Sequence, residues 1–64
     1  MQNDARRAEI LSTLAKSQRP ISATTLAAEY HVSRQSIVGD IALLRASGAD
    51  IIATSRGYLL AAAS

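Results

Sequence analysis

The sequence predicts a mainly α-helical fold that ends in one small β-hairpin. The 64 residues are dominated by small and aliphatic side chains, with two tyrosines as the only aromatic residues, a composition that suits closely packed helices. Apolar residues recur at helical spacing in three segments, whereas the segment after Gly48 changes to short β-prone runs. A chain this short buries only about 60% of its unfolded surface. We therefore expect one domain over residues 1–60, followed by the start of a linker at 61–64.

The first predicted helix runs from a cap at Asn3 or Asp4 to about Ser17. It must end before Pro20, which lacks an amide hydrogen and disfavours helix at the preceding residue. Its core face is formed by Ile10, Leu11 and Leu14.

Two further helices are predicted on either side of a tight turn. The second covers about 23–30 after a cap at Ser22, and the third covers about 34–47 after a cap at Ser33. His31 and Val32 form the turn between them, and Gly48 supplies the left-handed residue that commonly follows a helix. The predicted buried faces are Leu26, Ala27 and Tyr30 in the second helix, and Ile37, Ile41 and Leu44 in the third.

The tail predicts a hairpin. Residues 50–54 and 58–60 are β-prone runs on either side of a three-residue loop, Ser55-Arg56-Gly57. Three helices and a hairpin, with a short turn before the third helix, form a winged helix-turn-helix. The start of the third helix should project from the body and fit a DNA major groove about 12 Å wide. We therefore expect double-stranded DNA as the partner.

The outer face of the third helix carries side chains suited to reading base edges. Arg34 can bind guanine or a phosphate, Gln35 can pair with adenine, and Val38 can contact a thymine methyl group. Gly39 costs about 1 kcal/mol relative to alanine within a helix, but allows close backbone approach to a partner. The predicted DNA-binding set is Thr24, Thr25, Ser33, Arg34, Gln35, Ser36, Val38, Gly39 and Arg56.

Two charged residues complete this expectation. Arg56 stands at the hairpin tip, a separate protruding edge, where it can enter a minor groove or lie on the backbone. Asp40 is expected beside the groove face, where it would repel phosphate unless Arg45 or another base neutralises it.

Each of these residues also has a purely structural interpretation. Ser33 is better explained as a helix cap than as a base reader. Arg34 and Gln35 could be an ordinary solvated helix start, Gly39 a tolerated defect, and Arg56 a common turn residue. The lone histidine is better explained as a turn residue than as a metal ligand.

Charge and composition limit the remaining functions. Seven basic and five acidic residues give a net charge of +2, too small an excess to indicate nucleic-acid binding without its distribution. The absence of cysteine excludes disulfides and thiolate metal sites. Serine, histidine and aspartate occur without the spacing of a catalytic triad, so we expect no enzyme and no cofactor. With no apolar run near 20 residues and a polar start, we expect a cytoplasmic protein without membrane contact.

Two runs of this sequence closely resemble one family. The runs are VSRQSIVGDIALLR at 32–45 and IIATSRGY at 51–58. They resemble the N-terminal domain of niacin-responsive transcriptional repressors, whose patterns are V-S-R-Q-x-I-V-x-D-I-x-L-L and I-I-A-T-x-x-G-Y. The likeness extends from Arg6 to Leu60, and the domain is also similar to the head of bifunctional biotin ligase–repressors. The resemblance to niacin-responsive repressors implies a repressor of genes for NAD biosynthesis or niacin uptake.

The resemblance also implies features beyond these residues. Such repressors carry a C-terminal domain that senses nicotinic acid, binds a metal and forms a homodimer. Nicotinic acid and the metal are thus implied only for that absent domain, and the homodimer for the full-length parent. Thr25 departs from the family's frequent glutamate, and His31 replaces its usual small turn residue.

Two other functions remain open from the sequence. The parent could be a biotin ligase carrying this head, in which case a Gly-Arg-Gly-type loop should follow residue 64. The domain could instead bind only proteins, in which case alanine at Arg34 and Gln35 would leave partner binding intact.

Overall fold

A computed structural model describes residues 3–61 of the chain. Its elements are α1 (Asn3–Lys16), α2 (Ala23–Tyr30), α3 (Arg34–Ala46), β1 (Ile51–Thr54) and β2 (Gly57–Leu60). Three helices followed by a two-stranded antiparallel hairpin confirm the predicted winged helix-turn-helix. Residues 62–64 of the predicted linker lie outside the described residues.

One apolar core joins the three helices to the hairpin. Ile10, Leu26 and Ile37, one from each helix, have no exposed surface, and Ile51 of β1 is only 3% exposed. Burial of this size stabilises the fold by about 1.5–3 kcal/mol for each large aliphatic side chain. The remaining predicted core residues Leu11, Tyr30 and Leu44 are only partly buried and pack at its edge.

The ends of α1 differ from the prediction. Asn3 and Asp4 lie inside the helix instead of capping it, and the helix ends at Lys16, before Ser17. The Asp4 carboxylate pairs with Arg7 one turn later on the surface of the same helix.

The end of α3 is a compact cap. Ser47 follows the helix, one residue earlier than predicted, and its hydroxyl donates to the Leu43 carbonyl at 2.8 Å. Gly48 has φ +106°, which confirms the predicted left-handed residue. The chain then reverses because the Ala49 amide donates to the Leu44 carbonyl at 3.0 Å.

The hairpin, here called the wing (residues 51–60), corrects the predicted three-residue loop. Thr54 pairs with Gly57, so the turn contains only Ser55 and Arg56, and β1 begins at Ile51 instead of residue 50. The predicted loop failed at Gly57 because this residue is the first of β2.

A backbone bridge attaches the wing to the rest of the domain. The Ile21 amide donates to the Tyr58 carbonyl at 3.0 Å, and the Tyr58 amide donates to the Ile21 carbonyl at 2.8 Å. Because Ile21 directly precedes the cap of α2, this bridge fixes the wing beside the start of α2.

Candidate nucleic-acid interface

The turn before α3 depends on the backbone of His31. Its φ of 57° and ψ of 44° are left-handed, which confirms the turn role predicted for this residue. In this conformation the Val32 amide donates to the Ala27 carbonyl at 3.0 Å, and Val32 packs partly buried against the core. Ala27 itself is 7% exposed, so its small side chain lies where the two helices meet.

Both helices of the motif begin with the same serine cap. The Ser33 hydroxyl accepts the Ser36 amide hydrogen at 3.1 Å and donates to the Ser36 hydroxyl at 3.0 Å. The Ser22 hydroxyl accepts from the Thr25 amide at 3.1 Å and donates to the Thr25 hydroxyl at 2.9 Å. The predicted caps are therefore confirmed, and each is closed by a hydroxyl three residues later.

The reading face, defined as Arg34, Gln35, Val38 and Gly39, is exposed along the first half of α3. Val38 has 39% of its surface exposed. A Cβ atom at Gly39 would meet nothing within 4 Å, so this side of the helix backbone faces open space. The opposite side of α3 is buried in the core, and the face is therefore free to meet a partner.

A cleft separates the wing from the two helix starts. Arg34 and Arg56 line it together, although the sequence placed them on separate edges. Its wall at the start of α2 includes Thr24. The full lining is Ser22, Ala23, Thr24, Arg34, Ala53, Thr54, Ser55, Arg56, Gly57 and Tyr58. Two guanidinium groups thus share a cleft with several hydroxyl groups, and none of these lining residues is acidic.

The other predicted residues lie outside the cleft lining. Gln35, Val38 and Gly39 lie on the reading face, and Ser33 and Ser36 form the cap of α3, where Ser36 is half-buried. Thr25 is exposed, but its hydroxyl is occupied by the cap of α2. The structure therefore divides the predicted set between a cleft and a helix face.

Sequence reasoning missed the role of Thr54 and Ser55 in this cleft. The Thr54 hydroxyl donates to the Gly57 carbonyl at 2.8 Å and accepts from the Arg56 amide at 3.1 Å. These bonds fix the backbone that carries the Arg56 side chain. The signal was available, because threonine two residues before a turn residue commonly makes such local bonds.

Asp40 does not border the groove face as predicted. It is 3% exposed and faces α1, where its carboxylate accepts from Arg6 Nε at 2.5 Å and from Arg6 Nη2 at 3.1 Å. Arg7 Nη1 lies 3.4 Å from the same carboxylate. Of the predicted partners, Arg45 or another base, the second alternative is confirmed, because Arg6 pairs with Asp40 and Arg45 is not among its contacts. The hydrogen bond that Arg6 donates to the Asp40 carboxylate raises the pKa of Arg6 above its usual value. The cause of the error is position: residue 40 lies three after Ile37 and beside Ile41, on the buried side.

Residues 3–61 contain neither a side-chain cluster suited to a metal ion nor a membrane-spanning helix. In that part of the chain no group of three or more histidine, cysteine, aspartate or glutamate side chains could hold a metal ion. None of its helices has the length and apolar character needed to cross a membrane.

The tight turn, the exposed third helix and the anchored hairpin define a winged helix-turn-helix domain. Residues 6–59 match the model of a family described as "HTH domain", and the chain belongs to this family. The chain is 54% identical over 52 residues to "Probable transcription repressor NiaR" of Thermotoga maritima, covering 81% of this chain and 30% of that protein. It is 48% identical over 54 residues to "Transcription repressor NadR" of Bacillus subtilis, covering 84% of this chain and again 30% of the relative.

These similarities bear out the family resemblance that the sequence motifs carried. The chain spans about a third of the length of these relatives.

Proposed function

We propose that this chain is the sequence-specific DNA-binding domain of a transcriptional repressor. In this proposal the reading face of α3 enters the major groove, and the wing lies on the adjacent backbone or in the minor groove. The observation that carries the proposal is the cleft shared by Arg34 and Arg56, with no acidic lining residue, directly beside the exposed start of α3.

The cleft suits the phosphate backbone that separates the two grooves. Guanidinium groups bind phosphate oxygens in a bidentate manner, and arginine is favoured for this reason at nucleic-acid surfaces. Thr24 and Ser55 add hydroxyl donors to the same cleft. A phosphate bound between Arg34 and Arg56 would fix the position of the duplex, but it would carry no sequence information.

Sequence discrimination is assigned to the reading face. Gln35 presents an amide suited to adenine, and Val38 presents an exposed methyl surface suited to thymine. Gly39 faces open space and has no side chain, which allows close backbone approach. Arg34 lies where the cleft meets this face, so it can serve either a phosphate or a guanine.

The regulated genes are proposed from the relatives. Both are named as transcription repressors, and neither name mentions a ligase, which favours a repressor over the head of a biotin ligase. We assign control of NAD biosynthesis or niacin uptake on the family resemblance alone. On the same ground, nicotinic acid, a metal and homodimerisation belong to a further domain, and this chain acts without a cofactor of its own.

The test is a fluorescence anisotropy titration of the 64-residue chain with labelled random-sequence duplex across a salt series. We expect affinity to fall linearly on a log–log plot, with a slope near −0.9 for each phosphate neutralised. No binding at the lowest salt concentration would exclude the proposal and favour a domain that binds only proteins. Selection from a random duplex library then identifies the preferred site.

A further inference from the structure

Asp40 is a buried carboxylate in the middle of the helix proposed to read DNA. Its side chain is only 4% exposed, and that of Arg6 is 11% exposed. Arg6 makes two hydrogen bonds to it, one to each carboxylate oxygen. Arg7 Nη1 lies 3.4 Å from Asp40 Oδ1, the oxygen that also accepts from Arg6 Nη2. Arg7 pairs with Asp4 as well. Nothing in the proposed DNA contacts uses this cluster.

The ion pair constrains α3 in a way that its apolar neighbours do not. Ile37 and Ile41 hold α3 against the core through apolar contacts, and the hydrophobic effect that drives such contacts is non-directional. A bidentate pair between guanidinium and carboxylate has a fixed plane and fixed distances. Asp40 lies between these two isoleucines along the buried side, so its pair with Arg6 opposes rotation of α3 about its own axis.

Arg6 also connects this constraint to the helix-turn-helix turn. Its side chain lines a second cavity together with Glu29, Tyr30, His31 and Val32. The same residue therefore bonds to the middle of α3 and lines a cavity beside the turn. Since Arg6 belongs to α1, contacts with α1 as well as with α2 hold α3 in its orientation.

We propose that Arg6 and Asp40 are positioning residues that set the orientation of α3 and thereby the register of the reading face on DNA. The inference rests on the proposed function. A rotation of about 20° moves an atom at a helix-surface radius of about 5 Å by roughly 2 Å. Hydrogen bonds to bases tolerate only a few tenths of an ångström, so such a rotation is enough to abolish selectivity.

The decisive variant replaces both partners, Arg6→Met with Asp40→Leu. Its net charge equals that of the original chain, so long-range attraction to phosphate is preserved. Apolar replacement of a buried ion pair is often neutral or stabilising, so the variant should fold. The matched control is Glu9→Gln with Lys16→Gln, which removes one charge of each sign from exposed positions of α1.

Two measurements are made on each protein. The first is the ratio of Kd values for random duplex and for the duplex selected by the original chain. We expect this ratio to fall at least tenfold in the double variant, while its Kd for random duplex stays within twofold of that of the original chain. In the control the ratio should not change. The second is the set of backbone N–H residual dipolar couplings of the protein without DNA. Between the original chain and the double variant, the couplings of α3 should change relative to those of α2, which reports a new orientation of α3.

Unchanged α3 couplings overturn the proposal, and so does an unchanged Kd ratio when α3 has reoriented. If the double variant fails to fold, Arg6→Lys replaces it, because lysine keeps the charge but lacks the planar fork. If the original chain binds no DNA, the proposed function fails on its own, and the couplings still decide whether the pair orients α3.

Discussion

A Cβ atom at Gly57 would lie 2.4 Å from the carbonyl carbon of Ile21. The wing approaches the start of α2 this closely because Tyr58 and Ile21 exchange both backbone hydrogen bonds. The Ile21 backbone thereby extends the wing by a short third segment. This attachment brings Arg56 to the same cleft as Arg34, and it depends on the absence of a side chain at residue 57.

Gly57→Ala should therefore be strongly destabilising. The residue has φ +138°, and the added methyl group would meet backbone atoms of Ile21 and Ser22 that cannot rotate away. We expect a loss of about 2–4 kcal/mol from strain and overpacking together. Urea denaturation followed by circular dichroism measures it.

Gly39→Ala is the matched control, since it makes the same change inside α3 with nothing within 4 Å. It should stabilise the chain by about 0.5–1 kcal/mol, because alanine favours helix. Equal effects of the two substitutions would contradict the close approach at Gly57.

His31→Gly should leave stability unchanged or raise it by up to about 1 kcal/mol. Glycine removes the steric cost of the left-handed backbone at this position, but this gain is partly offset by its greater freedom in the unfolded chain. His31→Val should instead lose at least 1–2 kcal/mol, roughly, because β-branched residues rarely adopt positive φ. Thermal denaturation of the two variants gives the comparison, and a valine variant as stable as the glycine variant would argue against this turn.

The cap of α3 can be tested at Ser33. Ser33→Ala should cost about 1 kcal/mol, because the Ser36 amide loses its acceptor, whereas Ser33→Gly should cost only a few tenths. Denaturant midpoints measure the difference. Random-duplex affinity, measured where both variants are fully folded, should change little if Ser33 acts as a cap alone.

Arg34→Ala and Arg56→Ala should each weaken binding to random duplex and reduce the steepness of its salt dependence. Each removes roughly 0.9 from the magnitude of the log–log slope if it neutralises one phosphate. Arg45→Ala is the control, since Arg45 is exposed in the last turn of α3, about 16 Å along the helix from Arg34. A slope that responds to Arg45 but to neither other arginine would show that the cleft does not bind the backbone.

Much of the local structure was predictable because its signals are local. The serine caps, the left-handed His31 and Gly48, and the spacing of Ile37 and Ile41 each act within a few residues of the chain. Their physical causes are amide satisfaction, backbone sterics and helical periodicity. The exposed first half of α3 followed from the same periodicity.

Two of the errors, at Gly57 and Asp40, concern residues that contact distant segments of the chain. Gly57 was predicted as part of a loop, but it pairs with Thr54 in the strand, and its backbone lies against Ile21, 36 positions earlier. Asp40 was predicted beside the groove, but Arg6 draws it to α1. The contact of Gly57 with Ile21 and the pairing of Asp40 with Arg6 each join residues more than 30 positions apart, so neither contact has a short-range signature.

The sequence by itself determined the order of elements, the serine caps of α2 and α3 and the face of α3 that stays outside the core, because each depends on backbone chemistry or on helical spacing. Only the tertiary structure decided that Arg34 and Arg56 line one cleft and that Asp40 is clamped by Arg6. Those relations depend on how separate elements pack, since a close backbone contact and a buried ion pair each need partners that only folding brings together.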